Sequence, residues 1–342
     1  MWGSEVVPEG GIERMAMDVM LTDSGAGGVA GEDATAVGEV FYFTGPTGAG
    51  KSALAMQVAA DCGAEIVNAD AFQLYRGLEI LTAAPSALDR AKVPHHLYGV
   101  LEVGETCDAA RYAAMARRVL AELAARGVPA FVVGGSGLYI KALTHGLSDL
   151  PSDETVRAQL AARPLEEKIE QLRELDPVGA ETMNLANPRY VDRALEICLL
   201  TGRPASEGRS AWRGPDPEGL HGVMLTWERE ELYRRIDRRV VAMFEAGVVD
   251  EVAALAGSVE AGGGRAVSLT VEKAIGWREI SAYRAGTLSR DEVVAAMQLA
   301  TRRYAKRQLT WFRREKWLKT VCLDADATPD LVAASILHAF FS

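Results

Sequence analysis

The chain has 342 residues, 49% hydrophobic and 25% charged, which is enough apolar material for one large folded domain or two modest ones. No apolar run approaches bilayer length, and Cys62, Cys107, Cys198 and Cys322 lack both CxxC spacing and a companion histidine pattern; a disulfide framework or zinc site is excluded, and a reducing cytoplasm is the natural setting. The net charge of −10 would argue against a nucleic-acid partner if it were evenly spread, but residues 1–40 carry eight acids and one base, so the rest of the chain holds only −3.

Residues 1–38 are Gly/Ala-rich, acidic and aperiodic, and they read as a disordered leader. They lack the basic start and apolar core of a signal peptide, and they are too acidic for a transit peptide. From residue 39 short β runs alternate with helical stretches. "EVFYFT" (39–44) predicts a strand that breaks into Gly45-Pro46-Thr47-Gly48-Ala49-Gly50-Lys51-Ser52, with a helix after Lys51. This octet satisfies G-x-x-x-x-G-K-[ST] in its required context. Glycines let successive N–H groups turn inward around an anion, the helix N-terminus adds partial positive charge, Lys51 brings a cation, and the Ser52 hydroxyl can hold Mg²⁺. The motif specifies phosphate binding and leaves open what happens to the phosphate.

"AEIVN" (64–68) predicts a second strand, with Asp70 just beyond it, where ligand groups gather in open α/β sheets. A carboxylate there can cap a helix, coordinate a metal or accept a proton. A helix over 108–127 closes at Gly127, and "PAFVV" (129–133) is a further strand running into Gly134-Gly135-Ser136. No acid ends that strand, whereas NTP hydrolases and kinases use one to hold Mg²⁺. The alternation predicts an α/β fold with a mainly parallel sheet of the P-loop NTPase kind, its first part spanning 39–151. Over 152–215 the strand signal vanishes into charged helical stretches, predicting an inserted all-helical domain. The core resumes over 216–342 with strands at 222–227 and 319–325, long C-terminal helices, and a last helix beginning near Thr328. Residues 302–316 hold Arg302, Arg303, Lys306, Arg307, Arg313, Arg314 and Lys316 against Glu315. Arg302, Lys306 and Arg313 share one helical face, as do Arg303, Arg307 and Arg314, in a pattern suited to a phosphate backbone or to plain solvation.

"DAFQLYRG" with Thr82 and Pro85 downstream resembles the signature that follows the phosphate loop in tRNA dimethylallyltransferases (tRNA isopentenyltransferases). "PHHL" (94–97), "VVGGSGLYIKAL" (132–143), "RYVDRALEICLLTGRPAS" (189–206), "REELYRRIDRRVVAMFEAGVVDEVAAL" (229–255), "AIGWREI" (274–280) and "TRRYAKRQLTWFRRE" (301–315) match further family blocks in order, over roughly residues 40–318. The resemblance implies transfer of a dimethylallyl group from dimethylallyl diphosphate to N6 of the adenosine 3′ of a tRNA anticodon. The bound diphosphate is then a leaving group. It implies Asp70 as general base and Arg239 as an arginine acting on the diphosphate, with Thr47 beside it and Mg²⁺ at Ser52. Asp70, Ala71, Phe72, Gln73, Ser136, Arg157, Arg189, Arg193 and Lys273 would face the tRNA, and the helical insertion would grip the anticodon stem. It further implies a cytoplasmic monomer whose partners are tRNA and dimethylallyl diphosphate, with no membrane. Three positions depart from the family pattern: Ala71 replaces a serine, Leu81 a glycine and Ala84 a lysine. A small-molecule kinase would need an acid on Mg²⁺ and arginines on a lid. An adenylate isopentenyltransferase has no use for the helical arm, and an RNA-binding scaffold leaves Asp70 and Arg239 without a task.

Overall fold

The computed structural model describes residues 39–147, 150–208, 216–261, 267–324 and 328–341. The expected leader, 1–38, and the end of the expected insertion, 209–215, lie outside the described residues. Two compact units result, one from the described residues through Leu143 together with those from Gly219 onward, the other from Thr144–Glu218.

The first unit is built on strands β1 (Val40–Thr44), β2 (Glu65–Asn68), β3 (His95–His96), β4 (Ala130–Val133), β5 (His221–Trp227) and β6 (Lys319–Leu323). They form one sheet in the order β3-β2-β4-β1-β5-β6, and every pairing is parallel. Parallel strands need crossovers, so helices cover both faces and the strands read as nearly continuous apolar runs. Alternate residues feed two cores. Phe41, Phe43, Ile66, Phe131, Val133, Val223 and Leu225 pack with Leu54 and Val58 of α1 (Lys51–Cys62), while Tyr42, Val67, Val132 and Met224 pack toward Tyr112 and Ala116. Helices α2 (Glu79–Thr82), α3 (Ala87–Lys92), α4 (Ala109–Ala125) and α5 (Gly137–Thr144) fill the connections of the first half. The strand at 129–133 appears as expected. β3 is an edge too short to leave a periodic signal.

The second unit is all-helical: α6 (Glu154–Ala161), α7 (Leu165–Leu175), α8 (Pro177–Thr182), α9 (Pro188–Thr201) and α10 (Ala205–Gly208). Val191, Ala194, Leu195 and Cys198 of α9 fall at helical spacing and bury against Leu160 and Leu172. Back in the first unit, α11 (Arg229–Glu245), α12 (Val248–Ala261), α13 (Trp277–Arg284), α14 (Arg290–Phe312) and α15 (Pro329–Phe341) complete the chain. This is the expected architecture: a P-loop NTPase-like parallel sheet, an inserted helical unit and long C-terminal helices. Among the described residues no helix is long and apolar enough to cross a membrane.

One sequence expectation changes. Arg302 does not belong to a free basic face: its guanidinium lies 3.4 Å from Asp237 and over the Tyr233 ring, because α14 packs along α11. Arg303, Lys306, Arg307, Arg313 and Arg314 are exposed. Of the cysteines, Cys107 and Cys198 are buried and Cys322 is exposed at the sheet edge.

Candidate active site

The site gathers at the carboxyl ends of β1, β2 and β4, the position that a parallel sheet leaves open for ligands. After β1, Gly45, Gly48 and Gly50 adopt φ of +130°, +85° and +93°, which turns the loop back on itself before α1 begins at Lys51. Two of the loop's carbonyls are held by outside donors. Arg235 Nε donates to Gly48 O at 2.9 Å, and Trp227 Nε1 donates to Ala49 O at 3.1 Å. Arg235 also lies over the Trp227 ring at 4.5 Å. Pro46 O instead accepts within the loop, from Lys51 Nζ at 2.9 Å and Ala49 N–H at 3.2 Å.

Asp70 follows β2 in a turn fixed by the buried Asn68. Asn68 Oδ1 accepts from Asp70 N–H at 2.7 Å, and Asn68 Nδ2 donates to the carbonyls of Asp70 and Leu97 at 3.0 and 2.9 Å. Asp70 Oδ1 accepts from Phe72 N–H at 3.0 Å, so the carboxylate closes a tight turn. No helix starts there, since α2 begins at Glu79, and the helix-cap reading of Asp70 falls away.

After β4 comes Gly134, where a methyl group would overlap the Ala69 carbonyl. Close packing between two neighbouring strand ends thus excludes any side chain at the place where a kinase-type acid would stand.

These elements enclose a cavity of about 400 Å³ lined by Thr47, Lys51, Ser52, Asp70, Gln73 and Arg239, with the loop glycines, Arg235 and Arg238. Burial pulls the Lys51 pKa down to about 8, with Arg239 adding to that and Asp70 opposing it. Burial likewise lowers the pKa of Arg239, which Asp70 counters. Arg239 donates to the Thr47 hydroxyl, and its Nε is buried without a partner. A buried, unpaired guanidinium nitrogen costs free energy that an anionic ligand recovers. Continuous with this cavity through Thr47, Asp70, Thr82 and Arg239 is a smaller one of about 50 Å³, walled by Leu81, Val240, Met243, Ala274 and Met297. That is room for roughly four water-sized groups.

The predicted site residues therefore divide. Gly45 through Ser52, Asp70, Ala71, Phe72, Gln73, Ser136 and Arg239 come together. Ala71 N–H donates to Ser136 Oγ at 2.9 Å, Gln73 Nε2 reaches the carbonyls of Thr82 and Ala83, and Phe72 lines the smaller cavity. Lys273 is exposed on the 3₁₀ turn Val271–Lys273. Arg157, Arg189 and Arg193 belong to the helical unit, where Arg157 and Arg193 share the buried Glu196 carboxylate at 3.0 and 2.6 Å and Arg189 is exposed. Among the departures from the family pattern, Leu81 packs into the space left by Gly276, and Ala84 lines an apolar cavity of about 520 Å³ beside Arg239. Sequence reasoning missed Arg235, Trp227, Tyr304 and Gln308. Gln308 had a visible signal: it falls on the buried stripe Met297, Thr301, Ala305, Gln308, Phe312.

Comparison with known proteins follows the same lines. The family profile described as IPP transferase matches residues 73–315, and one described as isopentenyl transferase matches residues 38–93. A tRNA dimethylallyltransferase of Akkermansia muciniphila is 41% identical over 87% of this chain and 98% of its own, and one of Geobacter sulfurreducens is 41% identical over 85% and 94%. Among solved structures, a tRNA isopentenylpyrophosphate transferase of Bacillus halodurans superposes with a TM-score of 0.62 at 32% identity, covering 88% of this chain and 96% of its own. A eukaryotic dimethylallyltransferase acting on tRNA gives 0.76 at 25% identity, covering 89% and 79%.

Proposed function

The chain belongs to the IPP transferase family, and from that premise we propose that it moves a dimethylallyl group from dimethylallyl diphosphate to N6 of the adenosine 3′ of a tRNA anticodon, releasing diphosphate. What carries this reading is one cavity that joins a phosphate loop, two cations and a carboxylate to an apolar niche. The loop N–H groups, Lys51 and Arg239 receive the diphosphate, the unpaired Arg239 Nε among them. The five-carbon tail points toward the niche between Leu81, Met243 and Met297, whose apolar lining suits it.

An adenine amine is a weak nucleophile because its lone pair is delocalised, so it needs a positioned proton acceptor. Asp70, fixed by Asn68 and Phe72, fills that role. The N6 lone pair forms the new bond to C1 of the dimethylallyl group while the C1–O bond breaks, its electron pair leaves with the diphosphate, and the N6 proton passes to Asp70. Lys51 and Arg239 stabilise charge as it grows on the leaving oxygen, more strongly in the transition state than in the ground state. The oxygen donors at Ser52 suit a hard cation, and Mg²⁺ held there would add charge neutralisation on the diphosphate. Ala71, Phe72, Gln73, Ser136 and Lys273 are assigned to the tRNA, and an anticodon-loop base can be splayed toward Asp70 at small cost. Arg157, Arg189 and Arg193 give the helical unit a basic surface for the RNA backbone. The enzyme works as a cytoplasmic monomer on this reading.

Labelled dimethylallyl diphosphate, Mg²⁺ and unmodified tRNA test it, with free AMP and ATP alone in parallel. Label in tRNA as N6-dimethylallyladenosine, lost in Asp70→Ala and on chelation, is the expected result. Transfer to AMP alone, or ATP turnover without prenyl transfer, would refute it.

A further inference from the structure

Tyr304 and Gln308 stand one turn apart on the same side of α14. Gln308 is buried, and its two amide atoms are engaged in opposite directions: Oε1 accepts from Thr47 N–H at 2.8 Å, and Nε2 donates to Gly135 O at 2.9 Å. The amide fills the place where a side chain on Gly135 would stand. The Tyr304 hydroxyl lies near the side chains of Ser136 and Gln308, and the residue lines the smaller cavity. Ser136 in turn accepts from Ala71 N–H, next to Asp70, and the Thr47 hydroxyl accepts from Arg239. Gln308 thus ties the Thr47 backbone to Gly135, and Thr47 in turn meets the guanidinium on the diphosphate side.

We propose that Gln308 is a positioning residue that locks the phosphate loop to the loop after β4, so that donor and acceptor are held in one geometry. The assignment rests on the roles given above to Asp70 and Arg239. Gln308 lines neither cavity, so its effect on the reaction must pass through the loops it ties together. Such a tie matters because transfer between two bound reactants depends steeply on how they are placed.

Steady-state kinetics on Gln308→Met, with dimethylallyl diphosphate and an anticodon stem-loop RNA, test the tie; thermal melting is measured alongside. Met keeps the length of the side chain, so the variant preserves the packing. The change is expected to lower kcat/KM about tenfold, the loss set by leaving buried partners unsatisfied, with KM for the donor rising as the phosphate loop loses its anchor. A purely structural role predicts a lower melting temperature with wild-type kcat and KM in the folded fraction; that outcome would overturn the proposal while wild-type transfer stays intact. Absence of transfer by the wild type would overturn the underlying reading and this proposal with it.

Discussion

Replacing Arg235 with alanine removes two contacts of known size and tests how the phosphate loop is held open. Arg235 Nε donates to Gly48 O at 2.9 Å, and the guanidinium lies 4.5 Å from the centre of the Trp227 ring. A hydrogen bond from a charged donor contributes about 1.5–3 kcal/mol, and a partly exposed cation–π contact about 0.5–1 kcal/mol. The side chain is half-buried, and its burial lowers its pKa, so solvent screens part of this and the low end, about 2 kcal/mol, is appropriate. That corresponds to about 30-fold. Both contacts exist before substrate arrives and persist through the reaction, so the loss should fall on donor binding: KM for dimethylallyl diphosphate up by about 30-fold, kcat within about threefold. Arg235→Lys keeps the charge but not the flat stacking fork and should fall between the two. Initial rates at saturating stem-loop RNA with varied donor give the answer. A donor KM unchanged within about twofold, or a loss confined to kcat, would refute the idea that Arg235 shapes the loop.

Other expectations concern the scaffold. Gly134→Ala would drive a methyl into the Ala69 carbonyl, and overpacking of that kind costs about 1–3 kcal/mol; a drop of several degrees in melting temperature together with lost transfer is expected, and a fully active, equally stable variant would contradict it. Glu65 is held below its usual pKa by its hydrogen bond to Arg126 and, more weakly, by His96, against the opposing effect of burial. Its contribution to stability is therefore present above the unfolded carboxylate value and is lost as the pH falls through the lower folded value. Glu65→Gln should melt below wild type at pH 7, and the two should converge in acid; a constant gap across the titration would argue against the linkage. Arg157→Ala should weaken tRNA binding at all sequences alike and reduce the slope of log affinity against log salt by about one, with donor KM unchanged; an unaltered slope would remove Arg157 from the RNA surface.

The phosphate loop was legible because its chemistry is contiguous: eight neighbouring residues supply the turn, the cation and the hydroxyl, and the flanking strand and helix announce themselves by pattern. Asp70 was legible for a related reason, since a strand end in a parallel sheet is a ligand position wherever the sheet lies. The basic run at 302–316 shows the limit of such reading. Helical spacing puts Arg302 on a face with Lys306, yet Asp237, 65 positions away, claims it. Tyr304 and Gln308, within the same run, carry no charge to draw attention, although the buried stripe of α14 marks Gln308 as out of place.

The sequence by itself determined the alternation of strand and helix, the loop that grips phosphate, the carboxylate beyond the second strand and the block where strands give way to helices, because each depends on residues within a turn or two of one another. Tertiary structure decided how distant groups complete the site, of which the family resemblance had pointed to Arg239 but not to Arg235 or Gln308. Arg239 meets Thr47 across 192 positions, Arg235 meets Gly48 across 187 and Gln308 meets Thr47 across 261. Those meetings follow from the sheet order, which lays β5 beside β1 and brings α11 and α14 over the loop, and no local pattern records it.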